Sequence, residues 1–436
     1  MNFSNTLKSH LLSLIEEMAS HPQDFTKNPK TDFSRTKKWS FKKTILFMLS
    51  MEGNSLKNEL LKFFDFNSNL PSASSFVQRR AQILPSTFET LFKSFTSFDK
   101  RFQATYGYQL IAVDGSAVAI PRNAADKATL RKVGKDNEYN ALHLNCLYDL
   151  NKRLYIDAIT QTAHEKNEHL AVQHMVDRYK GSANSIFIMD RGYECFNTIA
   201  HIEQMGMYYV IRSKDISSNG IVASLKEQLP DNDTFDAMTS FFLSQKNTTN
   251  VKKYPKLYKR IRSDQSFDFF NEDSDYYPMN IRVVRFPITE TKYEVLLTNL
   301  PDNITPMMLK ELYNRRWGIE TSFRELKYSI GLNAFHSKKY DFILQEIWAR
   351  LLLYNFCEMI TTNVVIVQNQ KNKHTYQINY TYAIFVCRKL LVLKKQESSY
   401  DAEMLIKREL LPIRADRAYP RNIRSHSAIS FIYKIY

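Results

Sequence analysis

Two aspartates each close an apolar run. Asp114 follows LIAV and precedes Gly115 and Ser116, and Asp190 follows IFIM and precedes Arg191 and Gly192. An acid at the carboxyl end of a buried strand projects into the crevice where open α/β sheets bind their ligands. One strand-ending Asp is as readily a turn former or a helix N-cap. Two of them, on strands that can neighbour one another, point towards a metal site.

A third acid comes from a helix expected over Pro306 to about Tyr328. Thr305 is suited to the N-cap, Pro306 to the first helical position, and Gly331 lies just beyond the end. Tyr313, Arg316, Glu320 and Lys327 fall at offsets of three, seven and fourteen residues. At about 100° per residue they lie within an arc of roughly 60°. Glu311 and Glu325 point elsewhere, by about 160° and 120° from Tyr313, so Glu320 is the acid that shares this face. Arg316 and Glu320 have the spacing of an ordinary surface ion pair. A face with a carboxylate, an Arg, a Lys and a phenol nevertheless suits metal and phosphate together. Three carboxylates and a phosphodiester carry about four negative charges, which two Mg²⁺ ions balance in two-metal phosphoryl transfer. Gly318, inside this helix, costs about 1 kcal/mol relative to Ala, which points to a close approach there.

The elements that must position these residues follow from the pattern of apolar positions. The first hundred residues are helical in periodicity, as in LLSLIEEM, TILFMLSM and NELLKFF. They carry a basic run from Lys27 to Lys43, with seven Lys or Arg against the single acid Asp32, and a further helix with Ser72 or Ser74 as N-cap that bears Arg79 and Arg80. The expectation is a small helical domain with a basic, DNA-facing side; a solvated surface is the plainer alternative.

From about Tyr108 the texture becomes three strands, a helix, a strand, a helix and a strand, an α/β unit. Residues 215–300 break that rhythm and are β-rich, with a second basic run from Lys246 to Arg262. The chain is helical again after Pro301, and its tail from about Lys373 is basic and mostly helical. The expected units are 1–100, a helical DNA-binding domain; 101–214, the first part of the catalytic core; 215–300, an insertion; 301–372, the second part, with the Glu helix; and 373–436, a basic, helical C-terminal region.

The spacing Y-x2-R-x3-E-x6-K, with the strand motifs VDGS and MDRGY, resembles the bacterial insertion-sequence transposases of the IS-four family. Similarity extends from the basic helical N-terminus through the helix containing LLLYNF. The resemblance implies a ribonuclease-H-like α/β core interrupted by a β-rich insertion between the second Asp and the Glu. It implies Asp114, Asp190 and Glu320 as ligands of two Mg²⁺ ions, for which Mn²⁺ can substitute, and Tyr313, Arg316 and Lys327 as DNA-backbone contacts. It implies cleavage at the element's ends through a hairpin and joining to target DNA, by a homodimer in the DNA-bound complex. Relatives use an aromatic residue to hold a flipped base, for which Trp317 and Tyr293 are the candidates here; either is equally at home in a core.

Composition agrees with a polyanion partner. The 436 residues carry a formal net charge of +15, with 44% hydrophobic and 13% aromatic residues, enough for packed cores. No stretch approaches the roughly 18 apolar residues of a spanning helix. The most apolar one, Phe342 to Gln368, is broken by Glu346, Arg350 and Glu358, and the N-terminus lacks the pattern of a signal peptide. The expected location is the cytoplasm, at the nucleoid when bound to DNA. Cys146, Cys195, Cys357 and Cys387 have no zinc-site spacing and are expected to be reduced core thiols, and His164, His169 and His174 are assigned no role. The rival functions are a ribonuclease-H-fold nuclease or resolvase, and a non-catalytic DNA-binding protein derived from a transposase.

Overall fold

A computed structural model describes residues 2–35, 38–101, 103–133, 137–262, 265–270, 274–366, 368, 374–393 and 401–413. Five helices come first: α1 (Phe3–Ser20), α2 (Phe41–Ser50), α3 (Leu56–Phe63), α4 (Ala73–Ala81) and α5 (Pro85–Thr96). Most begin on a side-chain cap, such as Ser40, Ser55 and Ser72, each of which accepts from a backbone N–H three residues on.

The strands β1 (Gln109–Ile120), β2 (Leu130–Val133), β3 (Asn137–Asp149) and β4 (Leu154–Gln161) follow, then α6 (Glu168–Asp177), β5 (Ser185–Met189), α7 (Phe196–Gln204) and β6 (Tyr208–Ser213). β4, β3 and β1 are antiparallel neighbours, and β1, β5 and β6 are parallel neighbours. The order β4–β3–β1–β5–β6 is the ribonuclease-H-like core expected from the sequence. α7 stops where Gly206 takes a positive φ of 66°.

The next segment holds α8 (Ile221–Ser224), β7 (Phe235–Ser244), α9 (Thr249–Lys253), β8 (Tyr258–Arg260), β9 (Tyr277–Thr289) and β10 (Lys292–Thr298). It is β-rich as expected, but its strands do not form a sheet of their own. β10 pairs antiparallel with β6, and β9, β7 and β8 continue outward, so a ten-stranded sheet runs through core and insertion among the described residues.

The single helix expected from Pro306 to Tyr328 is broken. α10 (Pro306–Asn314) and α11 (Trp317–Arg324) meet at Arg315 and Arg316, and a π-helical turn, Glu325–Ser329, follows. At the joint Arg316 N donates to Tyr313 O at 3.0 Å and Gly318 N to Arg315 O at 2.9 Å, the tighter i−3 pattern. The expected ends hold: Thr305 caps through Met308 N, and Gly331 has φ 86°. The close approach at Gly318 is Leu150, whose Cδ2 would stand 2.8 Å from an added methyl group.

α12 (Tyr340–Thr361) is buried along nearly its whole length. The short strand β11 (Tyr376–Ile378), α13 (Tyr380–Val392), α14 (Ala402–Arg408) and β12 (Leu410–Pro412) complete the described chain, and β11 pairs with β12. The tail expected to be helical is thus partly so; residues 414–436 lie outside the described residues. α1–α5, α11–α13 and one face of β1, β3 and β4 share one apolar core, α10 covers the same face further along, and α6 and α7 pack on the opposite face.

Arg80 does not join a basic surface. It is 1% exposed and donates to Glu346 at 2.8 Å and Gln345 at 2.9 Å, tying α4 to α12. The four cysteines are free, and three of them are buried. Among the described residues no helix is long and apolar enough to cross a membrane.

Candidate active site

β1 delivers Asp114 from its middle, and β5 ends immediately before Asp190, so adjacent parallel strands bring the two acids to the same end of the sheet. Each carboxylate is steadied by the next backbone N–H: Gly115 N donates to Asp114 Oδ1 at 2.8 Å, and Arg191 N to Asp190 Oδ1 at 2.7 Å. The broken helix α10–α11 lies over this end. It sets Tyr313 Oη 3.3 Å from Asp190 Oδ1 and places Arg316 between Asp114, at 3.6 Å, and Glu320, at 2.6 Å. From the π turn, Lys327 Nζ donates to Ser116 Oγ at 2.7 Å. The six residues expected to act together are brought together.

Charge and burial explain how they sit. Burial, with Glu320 and Asp190 adding to it, raises the Asp114 carboxyl to about 6 against the pull of Gly115 N–H and Arg316. Burial works against the Arg316 cation, which is 5% exposed, yet Tyr313, Asp114, Asp190 and Glu320 hold its pKa above the ordinary arginine value. Burial raises the Tyr313 phenol to about 12, with Asp190 contributing, and lowers Lys327 against the attraction of Asp114. Arg316 Nε is buried without a hydrogen-bond partner, a donor with capacity to spare.

Among the described residues no three His, Cys, Asp or Glu side chains stand close enough to share one ion. Arg316 occupies the space between Asp114 and Glu320. The donor set is nonetheless one of hard carboxylate oxygens that suits Mg²⁺, and the Asp114 carboxylate, disfavoured chiefly by burial and further by Glu320 and Asp190, is one whose charged form a divalent cation would favour.

The family model described as "Transposase DDE domain" matches residues 105–356, which span both aspartates, the insertion, Glu320 and Lys327. The chain belongs to this transposase DDE domain family. It is 28% identical over 125 residues to the transposase InsG of insertion sequence element IS4 from Escherichia coli (strain K12), over 26% of this chain and 27% of the relative. The chain therefore spans about a quarter of the length of the curated relative it matches. Among solved structures, a piggyBac transposase synaptic complex with hairpin DNA is similar at a TM-score of 0.45 and 11% identity, covering 91% of this chain and 81% of that one.

Of the two aromatic candidates, Trp317 is half exposed, with the Arg316 guanidinium 5.8 Å from its ring. Tyr293 lies at the bulge of the β9–β10 hairpin under Arg285, at 3.8 Å. The transposase-domain chain also places a residue that sequence reading passed over. Arg212, near the end of β6, pairs with Glu294 of β10 at 3.0 Å, and both are felt by Tyr313. IRSK alone gave no reason to choose it; strand β6 lying beside β5 does. The basic runs are partly engaged within the protein: Lys27 meets Asp341 at 2.5 Å, Lys42 pairs with Glu16, and Lys246 meets Asp275 at 2.5 Å.

Proposed function

We propose that this chain is a transposase that cuts DNA at the ends of an insertion sequence, passes through a hairpin and joins the ends to target DNA, acting as a dimer. The observation that carries this reading is the convergence of Asp114, Asp190 and Glu320 with Tyr313, Arg316 and Lys327 at one end of the sheet.

Asp114, Asp190 and Glu320 would hold Mg²⁺. When bound, the divalent metal supplies Lewis-acid activation of the scissile phosphate and of its nucleophile. The chain's own residues bind and orient the DNA. Arg316 exchanges its contact with Glu320 for phosphate oxygens, and its planar fork holds them bidentately. Lys327 offers a second positive charge from the Ser116 side, and the Tyr313 hydroxyl, beside Asp190, donates to a backbone oxygen. Trp317, exposed next to Arg316, presents a ring on which an unpaired base stacks.

The test uses labelled end DNA with Mg²⁺ and with Mn²⁺. Asp114→Ala, Asp190→Ala and Glu320→Ala should each abolish cleavage while end binding persists, and Glu325→Ala should be far milder. Normal cleavage by one of the first three variants removes that residue from the site. Cleavage without strand joining by the unaltered protein would make it a nuclease instead.

A further inference from the structure

Behind Asp114, on the opposite face of the sheet, lies a polar cluster that none of the steps above uses. Successive residues of a strand point to opposite faces, so where Asp114 faces Arg316, Gly115 faces α6. A methyl group added at Gly115 would stand 2.3 Å from His143 Nε2 and 3.0 Å from Asn145 Oδ1. Both side chains come from β3, whose register sets Asn145 opposite Gly115 and His143 opposite Ala117. His143 is 4% exposed, and its Nε2 lies 2.7 Å from Glu168 Oε1 at the first turn of α6, an ion-pair distance at an angle that does not make a hydrogen bond. Glu168 is held in turn by Lys166 at 3.1 Å. Asn145 is anchored through its amide nitrogen to Gln161 at 3.0 Å, while its Oδ1 is buried without a hydrogen-bond partner.

The Gly115 peptide is therefore caught between two groups. On one side its N–H donates to Asp114 Oδ1 at 2.8 Å; on the other it meets the imidazole of His143. The ring thus packs against the same glycine whose N–H hydrogen-bonds the Asp114 carboxylate. The glycine of VDGS follows from the same contact, since only a residue without Cβ leaves room for the ring.

We propose that His143, held by Glu168, is a positioning residue for Asp114: through the Gly115 peptide it fixes the carboxylate in the orientation that receives a divalent cation. This rests on Asp114 being a metal ligand, as proposed above. Groups that orient the ligands of a metal from behind typically change its affinity on the order of 10-fold to 100-fold when removed.

The test is Mn²⁺ binding by the full chain without DNA, followed by the electron paramagnetic resonance of the free ion, with thermal unfolding of each variant beside it. Glu168→Ala, near the surface at the start of α6, should weaken Mn²⁺ binding about tenfold with little change in the unfolding midpoint, and His143→Gln should do the same. Gly115→Ala should weaken binding by forcing the ring away. Gly115→Ala combined with His143→Ala, which removes the clash with the ring but not the need for its positioning, should remain weak. Wild-type affinity in Glu168→Ala, or recovered affinity in that double variant, would reduce His143 to a space-filler and overturn the proposal. Should His143→Gln fail to fold, Glu168→Ala decides alone. Asp114→Ala separates the two levels: if it binds Mn²⁺ as the wild type does, the metal-site reading falls and this inference with it. If it alone loses binding, only this inference falls.

Discussion

Arg212 Nε lies 3.0 Å from Glu294 Oε1, joining β6 to β10 in the strand next to the one that ends at Asp190. Glu294 is 8% exposed, and the Arg212 side chain keeps 29% of its surface open. The pair holds a cation at the rim of the acid site without burying it.

Arg212→Ala should therefore do two separable things. It leaves a buried carboxylate without its partner, at a cost on the order of 1–3 kcal/mol, and it removes a positive charge from the rim of the acid site. Adding Glu294→Gln should restore the stability seen in urea unfolding but not the cleavage rate. Recovery of both in the double variant would make Arg212 purely structural.

The basic run of the insertion gives a second test. Lys252, Lys253 and Lys256 are exposed on and just after α9, unlike Lys246, which meets Asp275. If each meets a phosphate, replacing all three by Gln should lower the slope of log binding constant against log salt by about three. An unchanged slope would leave the run as solvated edge-strand protection, the role lysines often have beside an open strand.

Stability should also carry a pH signature from α7. Glu203 is raised from 4.5 to about 7, chiefly by burial and against a hydrogen bond from Tyr209. The folded state then binds the proton more tightly than the unfolded chain, so stability is lost as pH rises from about 4.5 through 7. Glu203→Gln should be more stable than the wild type at pH 8, by at most about 3 kcal/mol before solvent screening reduces it. The advantage should vanish near pH 4, and urea unfolding at both pH values checks this. An equal offset at both would assign the effect to packing.

How much of this was legible in the sequence differs element by element. Asp114 and Asp190 could be read because apolar strands ended at or held them, and the helix of Glu320 because Thr305, Pro306 and Gly331 mark its limits. The break at Arg315 and Arg316 could not, since the apolar periodicity runs through it unchanged and the shift to i−3 hydrogen bonds shows only in the backbone. The sequence likewise marked residues 215–300 as β-rich but not that their strands extend the core sheet, because edge-to-edge pairing leaves no local trace. Arg79 and Arg80 read alike, yet only Arg80 faces α12, where Glu346 and Gln345 receive it. His143 carried no signal at all: its importance appears only when β3 lies against Gly115.

The break in the helix bears directly on Arg316. Placed at the joint of α10 and α11, it reaches Asp114 at 3.6 Å and Glu320 at 2.6 Å, while Lys327, on the π turn, reaches Ser116. The two cations thus address the acid site from different sides and should meet different phosphates. A water nucleophile needs little positioning beyond the metal. A 3′-hydroxyl attacking the opposite strand must be bent into line, and misplacement by about 1 Å can cost on the order of a hundredfold. Arg316→Lys keeps the charge that offsets the acids but loses the fork that holds a phosphate bidentately. It should retain first-strand nicking and form hairpins poorly, whereas Arg316→Ala, which removes the cation from among three carboxylates, should impair both. The measurement follows nicked, hairpin and released products over time on one labelled end substrate. Equal slowing of nicking and hairpin formation by Arg316→Lys would leave Arg316 a general binding residue and sink the distinction.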